Sequence, residues 1–165
     1  MLRILLHALA LLPLLAAAAA PARELRGVVT HVTDGDTIWV RPAGGAALPV
    51  RLQGIDAPEI CQPFGRQSRD ALAARLLRRP VQVTIHARDI HHRNVGRVEL
   101  QGQDIGAWLV AGGYAWATRR RQRADSYAEE QAQARQAQRG LWAAAALEPR
   151  LFRRRNGSCY QTAPS

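Results

Sequence analysis

Arginine and carboxylate crowd one short stretch of this chain. Val50-Arg51-Leu52-Gln53-Gly54-Ile55-Asp56-Ala57-Pro58-Glu59 holds a guanidinium and two carboxylates. A second acidic pair stands in Asp34-Gly35-Asp36-Thr37. An Asp-Gly turn needs only Asp34 and Gly35, so Asp36 adds electrostatic repulsion unless a cation sits opposite. Asp36 with Asp56, filled out by water and a backbone carbonyl, would make a hard-oxygen site for Ca²⁺. Mg²⁺ tolerates similar ligands, so ligand type leaves the ion open. Arg51 beside such a site offers phosphate a planar fork. The chemistry suggested is electrostatic: handling of a metal ion, a phosphate, or both.

The elements that must position these groups can be read around them. Val50 and Leu52 alternate with Arg51 and Gln53, so a strand buries one face and Arg51 points off it. Gly54 loosens the strand, and Pro58 disfavours helix at Ala57. Upstream, residues 24–33 read as a first strand, Asp34-Gly35 as a hairpin turn, and Ile38-Trp39-Val40 as the returning strand. Downstream, Phe64 to Arg79 is helical in pattern, with Leu72 and Leu76 on one face and Pro80 as its stop. Val81, Val83 and Ile85 mark a fourth strand, and Val95 to Leu100 a fifth. Asp104 is placed to cap a helix through Ile105, Trp108 and Leu109 that ends at Gly112-Gly113. Ser126 and Glu129 form a capping box for a last helix closed by Gly140, after which Leu141-Trp142 folds back onto the core. The pattern predicts a mainly β, α+β domain: a five-stranded Greek-key barrel of the OB type with about three α-helices. An open α+β sheet is the alternative, disfavoured because the first three strands are linked too closely for crossover helices.

The chain has 165 residues and a formal charge of +10, and all 23 of its basic residues are arginine. A compact domain this basic expects a polyanion, nucleic acid ahead of acidic lipid. Residues 1–22 read as an export signal: Arg3, then an apolar run from Ile4 to Leu15 interrupted by His7, then Ala20-Pro21-Ala22 as a cleavage site. The run is short of the about 20 apolar residues of a bilayer span. Cleavage is therefore expected over an uncleaved anchor, giving a periplasmic or secreted monomer with no stable membrane association. Residues 23–148 then form the domain and 149–165 a basic C-terminal tail. Cys61 and Cys159 allow one intramolecular pairing, and an oxidising compartment favours a disulfide between them. Closing so long a loop contributes about 3–5 kcal/mol if unstrained, and would fasten the tail beside Glu59. No His/Cys spacing accompanies the two cysteines, so a zinc site lacks support.

Four motifs now fall into order: Asp34-Gly35-Asp36-Thr37, the stretch 50–59, Gln62-Pro63-Phe64-Gly65, and Gly140-Leu141-Trp142. In that order and spacing the chain resembles the staphylococcal nuclease (thermonuclease) family, from about residue 25 to Trp142. The resemblance implies an OB-fold, Ca²⁺-dependent phosphodiesterase, an endonuclease acting on DNA and RNA with little sequence preference. By position, Asp36 and Asp56 match the calcium-ligating carboxylates, and the backbone carbonyl of Ala57 stands in for that of a threonine. Glu59 matches the glutamate that positions or deprotonates the attacking water, and Arg51 one of two arginines that hold the scissile phosphate. A metal and two fixed guanidinium forks suit the negative charge that builds on phosphoryl oxygens.

The second arginine departs from the family pattern, which is Asp-Arg-Tyr-Gly-Arg. Setting Asp89-Ile90-His91-His92-Arg93 on that motif needs no gap and makes Arg93 the catalytic residue. Gly96-Arg97 offers Arg97 instead, but this shortens the fifth strand, and a slip of odd length would reverse its faces. Arg93 is preferred. His91 and His92 then replace tyrosine and glycine, and at positive φ His92 carries strain of about 1 kcal/mol. The pair is read as solvated or as extra phosphate contacts, with a transition metal as a further option. Thr118, Arg119 and Arg121 stand where the family has tyrosines, so base stacking is expected to weaken and Arg119 and Arg121 to add phosphate attraction. The runs Arg78-Arg79, Arg119 to Arg121 and Arg153 to Arg155 form either a nucleic-acid track or a solvated basic surface. The competing function is a non-catalytic OB module that holds nucleic acid or another polyanion. Retention of Asp36, Arg51, Asp56, Glu59 and a second arginine favours the enzyme, since buried like charges are unfavourable without a metal.

Overall fold

The computed structural model describes residues 23–118, 127–157 and 159. Three strands, β1 (Arg23–Val32), β2 (Thr37–Arg41) and β3 (Leu48–Leu52), form an antiparallel meander. β4 (Ile55–Asp56) and α1 (Gly65–Leu76) follow, then β5 (Pro80–Arg88) and β6 (Asn94–Leu100). β5 pairs antiparallel with both β1 and β6, and β6 runs parallel to β3, closing a five-stranded barrel. The expected OB-type α+β architecture is what the strands build. β7 (Gln103–Asp104) turns back to pair antiparallel with β6, α2 (Ile105–Ala111) follows, and β8 (Trp116–Ala117) pairs with β4. α3 (Ala128–Gln136), a 3₁₀ turn (Gly140–Ala143) and α4 (Pro149–Asn156) complete the chain.

Strand alternation fills the barrel. Val29, Ile38, Val40, Val50 and Val83 are fully buried, and Leu72 and Leu76 from α1 with Ile105, Leu109 and Val110 from α2 join them. Each such side chain contributes about 1.5–3 kcal/mol on leaving water. This burial also decides where the charges go. Thr37 pairs with Arg51, and their strand neighbours Ile38, Val50 and Leu52 face the core. Thr37 and Arg51 therefore lie together on the outer face.

Several boundaries differ from the sequence expectation for local reasons. α1 stops at Leu76, short of Arg79, because residues 77–79 turn to bond with β1: Arg78 N donates to the Val29 carbonyl and Val29 N to that of Arg79. Arg78 takes φ 63° to do so. Asp104 does cap α2, accepting from Ala107 N at 3.2 Å. Ser126 lies outside the described residues, and the α3 N-cap position is Tyr127, with no side-chain cap bond. Leu141 is buried and Trp142 packs edge-on against Trp116, so the chain does fold back there. The segment read as a basic tail contains α4, making four α-helices among the described residues.

The Gln62-Pro63-Phe64-Gly65 motif joins three parts of the chain beside Glu59. Gln62 is buried; its Oε1 accepts from Glu59 N at 3.2 Å and its Nε2 donates to the Leu147 carbonyl at 2.6 Å. Gly65 starts α1 so close to this corner that a Cβ there would sit 1.9 Å from the Glu59 carbonyl oxygen. Gly65→Ala must push that corner open, and overpacking of this kind costs about 1–3 kcal/mol. A denaturant titration is expected to show that loss; an unchanged midpoint would mean the corner yields freely.

Candidate active site

One open recess of about 570 Å³ is lined by Asp34, Asp36, Arg51, Asp56, Ala57, Pro58, Glu59, His91, Arg93 and Arg153. Its size suits a small ligand or one segment of a larger one. Five parts of the chain build it. The β1–β2 turn supplies Asp34 and Asp36, where Asp34 Oδ1 accepts from Asp36 N at 3.0 Å and so folds the turn on itself. Gly35 lets that turn lie against α1: a Cβ would meet Ser68 Oγ at 2.0 Å. The end of β3 brings Arg51, and β4 with the following corner brings Asp56 and Glu59.

Charge pairing organises the recess. Asp36 and Asp56 are only 6% and 8% exposed. Arg51 bridges them, with Nη1 against Asp36 Oδ2 and Nη2 3.1 Å from Asp56 Oδ1. Asp36 Oδ2 also accepts from Ala57 N at 2.9 Å, and its Oδ1 from Thr37 Oγ1 at 3.1 Å. Burial alone would lower the Arg51 pKa, but Asp36 and Asp56 raise it above its ordinary value. Desolvation, followed by repulsion from Asp36, pushes the Asp34 carboxyl up to about 7.

Arg93 enters from the β5–β6 loop. Asp89 Oδ1 accepts from the backbone N–H groups of His91 and Arg93, both at 2.9 Å, while Oδ2 takes Arg93 Nε at 2.8 Å. Burial acts to raise the Asp89 carboxyl, yet these bonds from Arg93 and His91 hold it below the usual range. Arg93 Nη1 reaches Thr37 Oγ1 at 3.3 Å, directly across from Arg51. Arg97 instead pairs with Glu99 and Asp104, both at 3.0 Å, in a separate recess beside Gln53, His86 and Tyr127. His91 lines the site and His92 does not. His92 takes φ 60°, the left-handed conformation expected where the family pattern has glycine. Arg119 and Arg121 lie outside the described residues.

Two charged residues of the recess, Asp34 and Arg153, are not among the sequence candidates. The turn alone accounts for Asp34 in the sequence; the repeated carboxylate of Asp-Gly-Asp is the available signal. Arg153 comes from α4. Its Nη1 donates to Glu59 Oε1 at 2.8 Å and Asp56 Oδ1 at 3.2 Å, and its Nη2 to Asp56 Oδ2 at 3.0 Å. Hydrogen bonds to Asp56 raise its pKa above the ordinary arginine value. The Cys61–Cys159 disulfide holds this end of the chain beside Glu59, so the cysteine pairing was the clue to Arg153.

The donor set fits a hard cation. Among the described residues, no three His, Cys, Asp or Glu side chains converge as metal ligands. Asp36 and Asp56 with the Ala57 carbonyl and water would hold Ca²⁺ or Mg²⁺, whereas zinc favours clustered nitrogen and sulfur ligands, of which the lining offers His91 alone.

Comparison with known proteins converges on one family. A family model described as Staphylococcal nuclease homologue matches residues 49–144. A protein from Haemophilus influenzae named as an uncharacterized endonuclease is 33% identical over 142 residues, 83% of this chain and 80% of its own. Protein ParB of Escherichia coli is 37% identical over 166 residues, 93% of each chain. A micrococcal nuclease of Shigella flexneri is 38% identical over 144 residues, 79% of this chain and 82% of its own.

The raised Asp34 pKa has a definite sign. The folded state holds this proton up to about 7, against 3.8 for the ordinary carboxyl. Stability from this group is thus complete at pH below the ordinary value and is lost as pH rises through the folded value. Asp34→Asn keeps the acceptor for Asp36 N and removes the charge. Without divalent cations its melting temperature should match wild type near pH 4 and exceed it increasingly toward pH 8; a pH-independent difference would refute the assignment. His92→Gly relieves the positive-φ strain and should raise unfolding free energy by about 1 kcal/mol, read from chemical denaturation.

Proposed function

The chain belongs to the staphylococcal nuclease homologue family, and we propose that it is a Ca²⁺-dependent nuclease, exported from the cell, that cuts DNA and RNA with little sequence preference. Hydrolysis of nucleic-acid phosphodiester bonds is the activity of the chain. What carries the finer reading is the recess that joins Asp36, Asp56 and Glu59 with Arg51 and Arg93.

Each residue has a task that follows from its surroundings. Arg51 and Arg93 are each anchored by carboxylates or a hydroxyl, which leaves their forks oriented before a phosphate arrives. Negative charge growing on the phosphoryl oxygens is then met without reorganisation. The Glu59 carboxylate, at the same recess, can take the proton of an attacking water. Asp36, Asp56 and the Ala57 carbonyl would hold Ca²⁺. When bound, that ion supplies Lewis-acid stabilisation of the phosphoryl group and orients the nucleophile. Among the described residues lining the recess there is no phenylalanine, tyrosine or tryptophan, which supports recognition of the phosphate backbone over the bases. The net charge of +10 supports a polyanionic substrate. Export is supported by the Cys61–Cys159 bond, which persists in oxidising compartments, and by the residue 1–22 pattern.

Plasmid DNA and single-stranded RNA should both be degraded with Ca²⁺, with activity lost in EDTA and restored on adding the ion back. Arg51→Ala, Arg93→Ala and Glu59→Ala should each lower kcat by about 100-fold or more while the fold survives. Arg97→Ala should retain activity within a few-fold. Loss in Arg97→Ala with full activity in Arg93→Ala would reverse the assignment of the second arginine, and a gel shift without cleavage would remove the catalytic reading.

A further inference from the structure

Asp56 is shared. Its Oδ1 accepts from Arg51 at 3.1 Å and from Arg153 at 3.2 Å, and its Oδ2 from Arg153 at 3.0 Å. A carboxylate offers about four acceptor directions, so these three bonds leave little for a cation. The two arginines reach it by different routes. Arg51 belongs to β3 of the barrel wall and bridges Asp36 to Asp56 on its outer face. Arg153 arrives from α4 across the recess, its side chain 38% exposed, and grips both Asp56 and Glu59.

The apolar anchorage of α4 is small: Pro149 is its one fully buried residue, and Leu151 and Phe152 are half-buried. The attachments at its two ends are covalent or polar: Gln62 Nε2 to the Leu147 carbonyl before it, and the Cys61–Cys159 disulfide after it. Cys61 lies two residues past Glu59, and Cys159 six past Arg153. The arginine is therefore delivered to Asp56 as an intramolecular ligand, at high effective concentration.

We propose that Arg153 is a tethered competitor for the divalent cation at Asp56, a latch that sets how much cation the nuclease requires. The proposal rests on the assignment of the cation to Asp36 and Asp56. A cation that takes up Asp56 must displace the Arg153 fork, so its apparent affinity is reduced by the fraction of molecules in which the latch is closed. The disulfide keeps the displaced guanidinium near Asp56, ready to return. Cation dependence is in this way built into the C-terminal helix rather than left to the carboxylates alone.

Calcium binding can be measured directly by isothermal titration with CaCl₂ and no nucleic acid, on wild type, Arg153→Met and Arg154→Met. Arg154 is an exposed neighbour on the same helix, so its variant removes equal charge without touching Asp56. Arg153→Met should bind Ca²⁺ at least about fivefold more tightly than Arg154→Met, the lower end of ordinary coupling between sites. Affinity equal to or weaker than that of Arg154→Met would overturn the latch. If Arg153→Met fails to fold, Arg153→Lys keeps the charge but not the fork, and should bind Ca²⁺ more tightly than wild type; an unchanged affinity counts against the latch equally. Replacing both cysteines, Cys61→Ser with Cys159→Ser, should also tighten binding, and a wild-type affinity there would overturn the tether. Absence of Ca²⁺ binding in every protein would overturn the metal assignment itself, and the latch with it.

Discussion

Two carboxylates buried side by side, Asp36 and Asp56, are the constraint on which this structure depends. Each is costly to hold at such low exposure without positive charge against it. Arg51 answers from the outer face of the barrel wall and Arg153 from α4. Asp34, next to Asp36, answers differently, by keeping its proton toward neutral pH. The placement of α4 follows from the same requirement. With Pro149 buried and Leu151 and Phe152 half-buried, that helix has a small apolar anchorage, and Asp56 with Glu59 adds an ionic one.

The barrel turns this electrostatic need into fixed geometry. Closure of β3 against β6 brings the loop carrying Arg93 over the outer face where Thr37 and Arg51 are paired. Asp89 then aims Arg93 by holding both its backbone and its guanidinium. On the opposite side, Gly65 and Gln62 clamp the corner from which Glu59 projects. None of these three residues needs to touch a substrate. They fix where the touching groups stand, and catalysis by charge stabilisation depends on that precision more than on the number of charges.

The recess departs from the motif Asp-Arg-Tyr-Gly-Arg at His91, which lines it where that motif has tyrosine, and Arg153, outside the four family motifs, adds a further cation to the lining. His92 shows the local consequence of such drift: the backbone still takes the left-handed turn, and the histidine bears the strain.

What the sequence determined by itself was whatever short-range pattern encodes. Alternation in Val50-Arg51-Leu52 placed Arg51 outside the barrel, and the pairing of Asp36 with Asp56 followed from motif order. The choice of Arg93 over Arg97 rested on strand length, and the structure sets Arg93 in the recess and Arg97 outside it. Helix ends were less legible, because residues 77–79 bond to β1, a partner far away in sequence. Arg153 was least legible. Within Arg153-Arg154-Arg155 nothing local distinguishes the first arginine from its neighbours. Only tertiary structure decides that this one reaches Asp56 and Glu59, because helix phase and a cross-link spanning 98 residues set its direction.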